Sequence, residues 1–372
     1  MFRRTLFASA ALVAATLAAG SAQAQLKIAA AGPMTGEYAA FGSQMKAGAQ
    51  QAVEDINAAG GVLGQTLDLE VGDDACDPRQ AVSAANKLAS DGVKFVAGHY
   101  CSGSSIPASK VYADEGVLEI SPASTNPDYT DKGAWNTFRV CGRDDQQGAI
   151  AGKYLAEHYK NDKVAILDDN SAYGKGLADQ TRKAFQAAGG KEVLDEHYVA
   201  GEKDYSALVS RMKQAGVQVA YIGGYHTEAG LIVRQAHDQG MNAQFISGDA
   251  QATDEFGQIA GTAGDGFMFT FPPDPRNNPG AAKVVAEFKQ KGIDPEGYTL
   301  YTYAAVQIWA EAAKKANSTD PQKIAAELKK DGPWDSVIGQ IGFDSKGDVT
   351  KPAYVFYKWK DGKYTQMTQA GT

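Results

Sequence analysis

What this 372-residue chain has little of narrows it first. Past residue 24, no stretch approaches the roughly 18 apolar residues of a membrane span. There is no G-x-S-x-G nucleophile elbow, no Walker loop and no H-E-x-x-H. Gly174-Lys175-Gly176 opens like a dinucleotide fingerprint but fails at the third glycine, where Asp179 stands. The five histidines (His99, His158, His197, His226, His237) form no metal spacing, and neither His99 nor His226 has an evident nucleophile beside it. Hydrolytic and redox chemistry are therefore disfavoured, and neither cofactor nor metal is expected. Basic charge is short as well, with 36 Lys and Arg against 44 Asp and Glu. That balance argues against nucleic acid or an anionic membrane as partner.

What is present begins with an export signal. Arg3-Arg4, the apolar run Leu6–Ala19 and the ending Ala22-Gln23-Ala24 predict cleavage after Ala24. No cysteine follows that site, so a soluble rather than lipid-anchored product is expected. Losing Arg3 and Arg4 takes the basic count from 36 to 34 against 44 acids, a net charge of −10. Cys76, Cys101 and Cys141 remain, and an exported chain meets oxidants. Cys76 and Cys101 follow successive strands in neighbouring βα units, so a bridge between them is one reading. A metal site of Cys76, His99 and Cys101, helped by Asp73 and Asp74, is the other, although it lacks paired C-x₂-C spacing. Cys141 is left as a buried free thiol.

The rest of the chain alternates short apolar strands with helices at a spacing of roughly 25–30 residues, the rhythm of parallel sheets covered on both faces. Strands are expected near residues 27–31, 66–71, 93–97 and 117–120. After an irregular connection over 135–143 the rhythm restarts, with strands near 163–167, 193–198, 217–222, 244–247 and 266–271. Three helices and two short strands, near 340–343 and 353–359, close the chain. The expectation is an α/β protein of two doubly wound lobes. The first covers 25–143 with 273–352, and the second 144–272 with 353–372.

In such sheets small ligands bind at the C-terminal strand ends. His99-Tyr100-Cys101-Ser102-Gly103-Ser104-Ser105 lies at one strand end and opens a helix, whose free N–H groups favour an anion. Ser121-Pro122-Ala123-Ser124-Thr125 lies at the next. In the second half, Tyr173, Gly223-Gly224-Tyr225-His226 and Ser247-Gly248-Asp249 occupy equivalent places. One half offers donors for a carboxylate and the other a carboxylate for an ammonium. The pattern suits a zwitterion.

The stretches "GPMTGEYAAFGSQMKAGAQQAVEDINAAGG" (Gly32–Gly61), "DDACDPRQAV" (Asp73–Val82), "GHYCSGSSIPAS" (Gly98–Ser109) and "SPAST" (Ser121–Thr125) resemble the periplasmic leucine/isoleucine/valine-binding proteins. So do "YGKGL" (Tyr173–Leu177), "GEKDYSAL" (Gly201–Leu208) and "GGYHTEAG" (Gly223–Gly230). The resemblance spans the mature chain in one register. It implies the type I periplasmic-binding-protein fold, two Rossmann-like lobes joined by three crossovers, with a Cys76–Cys101 disulfide. It also implies a periplasmic, monomeric receptor serving the permease of an ABC importer. Ser102 and Thr125 would hold the ligand carboxylate. The Ala123 carbonyl, the Thr125 hydroxyl and Asp249 would meet the ammonium, while Tyr225 adds a hydroxyl and Tyr173 covers the ligand. Three positions depart from the family pattern: Asp249 where Glu is common, Phe41 where Tyr is common, and Tyr100 where a smaller aliphatic residue is common. These bear on side-chain preference, and receptors for γ-aminobutyrate, proline or other small amino acids share the family. A ligand-sensing subunit and a periplasmic enzyme on an amino-acid amide are the remaining alternatives, the enzyme lacking a visible nucleophile–base pair.

Overall fold

Residues 25–367 are described by the computed structural model. The expected leader, residues 1–24, and the last residues of the expected second lobe, 368–372, lie outside them. The first part of the chain alternates strand and helix. β1 (Leu26–Gly32) leads to α1 (Ala39–Ala58), β2 (Leu67–Asp73), α2 (Pro78–Ser90), β3 (Phe95–Gly98), α3 (Ser102–Asp114) and β4 (Leu118–Ser121). The single turn α4 (Asp128–Asp131) and β5 (Thr137–Arg139) follow. All five strands are parallel, in the order β2-β1-β3-β4-β5. The central strands suit a sheet covered on both faces; every residue of β3 and β4 is buried. Ala30 pairs with Ala97 and Ala97 with Ile120, so the C-terminal ends of β1, β3 and β4 come out level.

A second series follows: α5 (Asp144–His158), β6 (Val164–Asp168), α6 (Ala172–Ala187), β7 (Glu192–His197), α7 (Ser206–Ala215), β8 (Val219–Gly223) and α8 (His226–Asp238). It continues through β9 (Gln244–Ser247), α9 (Asp254–Ala260) and β10 (Met268–Phe271). Then come α10 (Ala282–Gln290), α11 (Thr299–Ala316) and α12 (Pro321–Lys330), the hairpin β11 (Trp334–Ser336) and β12 (Gly339–Ile341), β13 (Val355–Lys360) and β14 (Lys363–Gln366). The second sheet runs β14-β13-β10-β9-β8-β6-β7, with β13 antiparallel to both β10 and β14. α11 packs on α1, β3 and β4, back on the first sheet. Gly48 permits that return: a Cβ there would stand 2.1 Å from the Thr299 carbonyl oxygen of α11. The chain thus passes between the sheets three times, after β5, after β10 and after β12. This is the type I periplasmic-binding-protein fold.

Local signals set many boundaries. Asp77 caps α2 through Arg79 N and Gln80 N, with Pro78 in its first turn. Asp320 and Pro321 do the same for α12. α7 stops where Gly216 adopts a φ of 68°. The sequence reading does not include α4, α9 or β11, and three further differences bear on the site and the sheets. The connection over 135–143 contains β5, an edge strand of three residues that carries a buried arginine. α3 begins at Ser102 rather than Ile106. Ser-Gly-Ser-Ser is a poor helix former, but Ser105 is held through its hydroxyl to His99 O, 3.2 Å, and to Ser124 Oγ, 2.6 Å. β14 is short and largely exposed, and hydrophobic periodicity does not reveal it.

Candidate functional site between the two sheets

The β3–α3 and β4–α4 turns are built on each other. Ser121 Oγ donates to His99 O, 2.6 Å, and accepts from Ser124 N, 2.8 Å, while Ser124 Oγ donates to Tyr100 O, 2.9 Å. Behind them lies Arg139, fully buried, donating from Nη1 to Ser124 O, 2.6 Å, and from Nη2 to Asn126 O, 3.0 Å. Its Nε stands 2.7 Å from Asp348 Oδ1, and the other Asp348 oxygen meets Arg143, also at 2.7 Å. A buried guanidinium thus fixes the carbonyls of the 121–126 turn. Sequence reasoning missed this network because Asp348 is more than 200 residues away.

Cys76 and Cys101 form a disulfide. It ties the turn after β2 to the N-cap of α3. The metal reading of Cys76, His99 and Cys101 falls with it. The sulfurs are bonded to each other, and His99 is engaged by Asp74 at 2.6 Å and Tyr112 at 3.0 Å. Cys141 is a buried free thiol, 3.6 Å from Ser124 O, and burial pushes its pKa up.

The expected site residues come from both sheets. Ser102 and Ala123 are buried at the first sheet's strand ends, and Ser102 Oγ accepts from Asn126 N, 3.2 Å. Thr125 is fully buried and its hydroxyl has no hydrogen-bond partner. Its carbonyl accepts from Asp144 N, 2.8 Å, at the start of α5. Asp249, beyond β9, is 2% exposed. Tyr173 Oη donates to its Oδ1, 2.9 Å, and Tyr298 donates to its Oδ2. Burial pushes the Asp249 carboxyl above its ordinary range, and the hydroxyls of Tyr298 and Tyr173 draw it partly back. Those partners are neutral, so its charge is left for a cation.

An aromatic wall completes the set. Phe41 stacks on Tyr100 at 4.3 Å, Tyr100 meets Tyr298 edge-on at 5.5 Å, and Tyr173 lies 5.1 Å from Tyr225. The Tyr100 hydroxyl is buried without a partner. Tyr38, 4.4 Å from Tyr225, and Tyr298 also belong to this wall. Sequence reading passed over both, since each merely precedes a helix.

The two halves are closed on each other in this structure. Asn126 Nδ2 donates to Ala172 O, 2.6 Å; Gln44 Nε2 donates to Ala252 O, 3.3 Å; and Glu296 accepts from Asp254 N, 2.9 Å. At the mouth lies a groove of about 520 Å³, walled by Cys76, Cys101, Ile106 and Pro107 on one side and by Asp169, Ala172 and Tyr225 on the other.

Paired sheets with a closed cleft between strand ends, lined by hydroxyls, aromatics and buried carboxylates, define a solute-binding receptor. Residues 25–363 match the periplasmic binding protein family, and the chain belongs to it. It is 52% identical over 370 residues to Leu/Ile/Val-binding protein homolog 1 of Brucella suis biovar 1 (strain 1330), covering 99% of this chain and 100% of that one. A leucine-, isoleucine-, valine-, threonine- and alanine-binding protein of Pseudomonas aeruginosa is 44% identical, with 92% of each chain covered. The branched-chain amino acid transporter substrate-binding protein LivJ of Streptococcus pneumoniae, solved with isoleucine, superposes with a TM-score of 0.84 at 29% identity, covering 92% of this chain and 98% of that one. The family binds solutes and is not a family of enzymes. No helix among the described residues is long and apolar enough to cross a membrane.

Proposed function

We propose that this chain captures a branched-chain amino acid (leucine, isoleucine or valine) in the periplasm and delivers it, as a monomer, to the permease of an ABC importer. Cleavage after Ala24 would release it as a soluble receptor. Its lobes would be residues 25–143 with 273–352, and 144–272 with 353–372. One observation carries the reading. Asp249 is a buried carboxylate held on two tyrosine hydroxyls, across the cleft from the helix N-terminus at Ser102 and the open hydroxyl of Thr125. An ammonium enclosed there finds a charged acceptor, which its loss of water demands. The α-carboxylate falls to Ser102, Thr125 and the first N–H groups of α3. The Ala123 carbonyl is the further acceptor for the ammonium. Phe41, Tyr100 and Tyr225 surround the side chain. The names of the Brucella and Pseudomonas relatives support the ligand class.

Calorimetric titration of unfolded-and-refolded protein with the common amino acids tests this. Saturable heats with leucine, isoleucine and valine, and none with aspartate or lysine, are expected. Stronger binding of γ-aminobutyrate or proline would contradict the branched-chain assignment.

A further inference from the structure

The contacts across the cleft differ in kind at its mouth. Lys203 Nζ reaches Glu37 Oε2 at 2.8 Å in the open, and Thr227 Oγ1 donates to Glu37 O, 2.9 Å. The third is buried. Tyr38, from the first sheet's side, donates to Glu228 Oε1 on α8, 3.1 Å, while its ring packs on Tyr225. Glu228 is fully buried; the same oxygen accepts from Gly201 N, 2.9 Å, and its second oxygen has no partner. Close by, Asp169 is 5% exposed. Its Oδ1 accepts from Ser171 N, 2.9 Å, and its Oδ2 is unpartnered beside the groove.

Among the described residues no cation forms an ion pair with either carboxylate. Lys203 is on Glu37, His197 is on Asp168, His226 is on Glu255 and Lys175 is on Asp179. The other titratable groups around the pair are Tyr38, Tyr198, Tyr205, Tyr225 and Asp168.

We propose that Tyr38, Glu228 and Asp169 form a proton-linked latch, with Tyr38 a positioning residue that bridges the lobes and holds Tyr225 against the ligand. The proposal rests on the amino-acid reading above. The groove beside Asp169 is roofed by the opposite lobe, so opening lets water in. In the closed form burial, Glu228 and Asp168 push the Asp169 carboxyl up to about 7. A hydrated carboxylate returns toward about 4. The closed form therefore binds the proton more tightly, and closure takes one up between these values. Lower pH favours the closed form; above about pH 8 both forms are ionised and the advantage is gone.

Isoleucine is titrated into the full mature chain at several pH values, in buffers of different ionisation heat. Affinity is expected to rise as pH falls from about 8 to 6, with uptake approaching one proton per isoleucine near pH 6. Asp169→Asn, which keeps the acceptor for Ser171 N, should abolish the uptake and flatten the pH profile. Tyr38→Phe should speed dissociation about tenfold without changing association. Isoleucine binding without proton uptake in the parent would overturn the latch. Uptake that survives in Asp169→Asn, or unchanged dissociation in Tyr38→Phe, would do the same. Absence of heat with isoleucine, leucine and valine at every pH would instead overturn the ligand assignment, and the latch with it.

Discussion

At the scale of single residues the site turns on Asp249. Tyr173, on the same side of the cleft, donates to one of its oxygens, and Tyr298, which opens α11 on the first sheet's side, donates to the other across the closed cleft. Asp249→Asn keeps the shape and an acceptor but removes the charge. Breaking a buried charge pair in this way costs about 3–5 kcal/mol, so amino-acid affinity should fall roughly a hundred- to several-thousand-fold by calorimetry. A fall under about threefold would place the ammonium elsewhere. Tyr100 tests the other end of the ligand. It stacks on Phe41, and its hydroxyl has no partner, so the ring is placed by packing. Tyr100→Ala should shift preference toward longer side chains by about 1–3 kcal/mol per methylene accommodated. An unchanged ranking of leucine, isoleucine, valine and alanine would show that the ring does not border the ligand. Ser102, Thr125, Tyr173, Tyr225 and Asp249 were legible because each sits just past an apolar run. Tyr38 and Tyr298 were not, because they reach the cleft from loops whose positions depend on tertiary packing.

At the scale of elements, the strand ends do the positioning. Level C-terminal ends of β1, β3 and β4 bring the hydroxyl-rich turns together, and that register follows from apolar runs that must all be buried. Most strands and helices could therefore be read from the sequence. β5 could not, since its inward charge, Arg139, makes sense only once Asp348 and the 121–126 carbonyls surround it. The Cys76–Cys101 bridge closes a sequence separation of 25 residues. On the chain-entropy model it stabilises by about 3 kcal/mol. Denatured, unreduced protein should show one reactive thiol, Cys141, and native protein essentially none, because that thiol is buried. Reduction should lower the unfolding free energy by about that amount. Three reactive thiols in exported, unreduced protein would contradict the bridge.

At the scale of the whole molecule, two sheets connected by three passages of chain can swing about those passages. Hinge closure of this kind is characteristic of periplasmic binding proteins as a class. Closure is driven only by a ligand that touches both sides. In the proposed function the carboxylate donors, Ser102 and Thr125, stand on one side and Asp249 stands on the other. The chain's organisation into two units was visible in the restart of its βα rhythm after residue 143. The closing contacts were not, because pairs such as Tyr38–Glu228 and Gln44–Ala252 join residues with no local relationship. The central claim is that the cleft reads both charged poles of an α-amino acid. Comparative calorimetry is the most direct test, using isoleucine, the 2-hydroxy acid of the same carbon skeleton, which lacks the ammonium, and isoleucine amide, which lacks the carboxylate. Tight binding of isoleucine alone, with both analogues weaker by at least about a hundredfold, is the predicted result. Binding of the hydroxy acid within about threefold of isoleucine would contradict it.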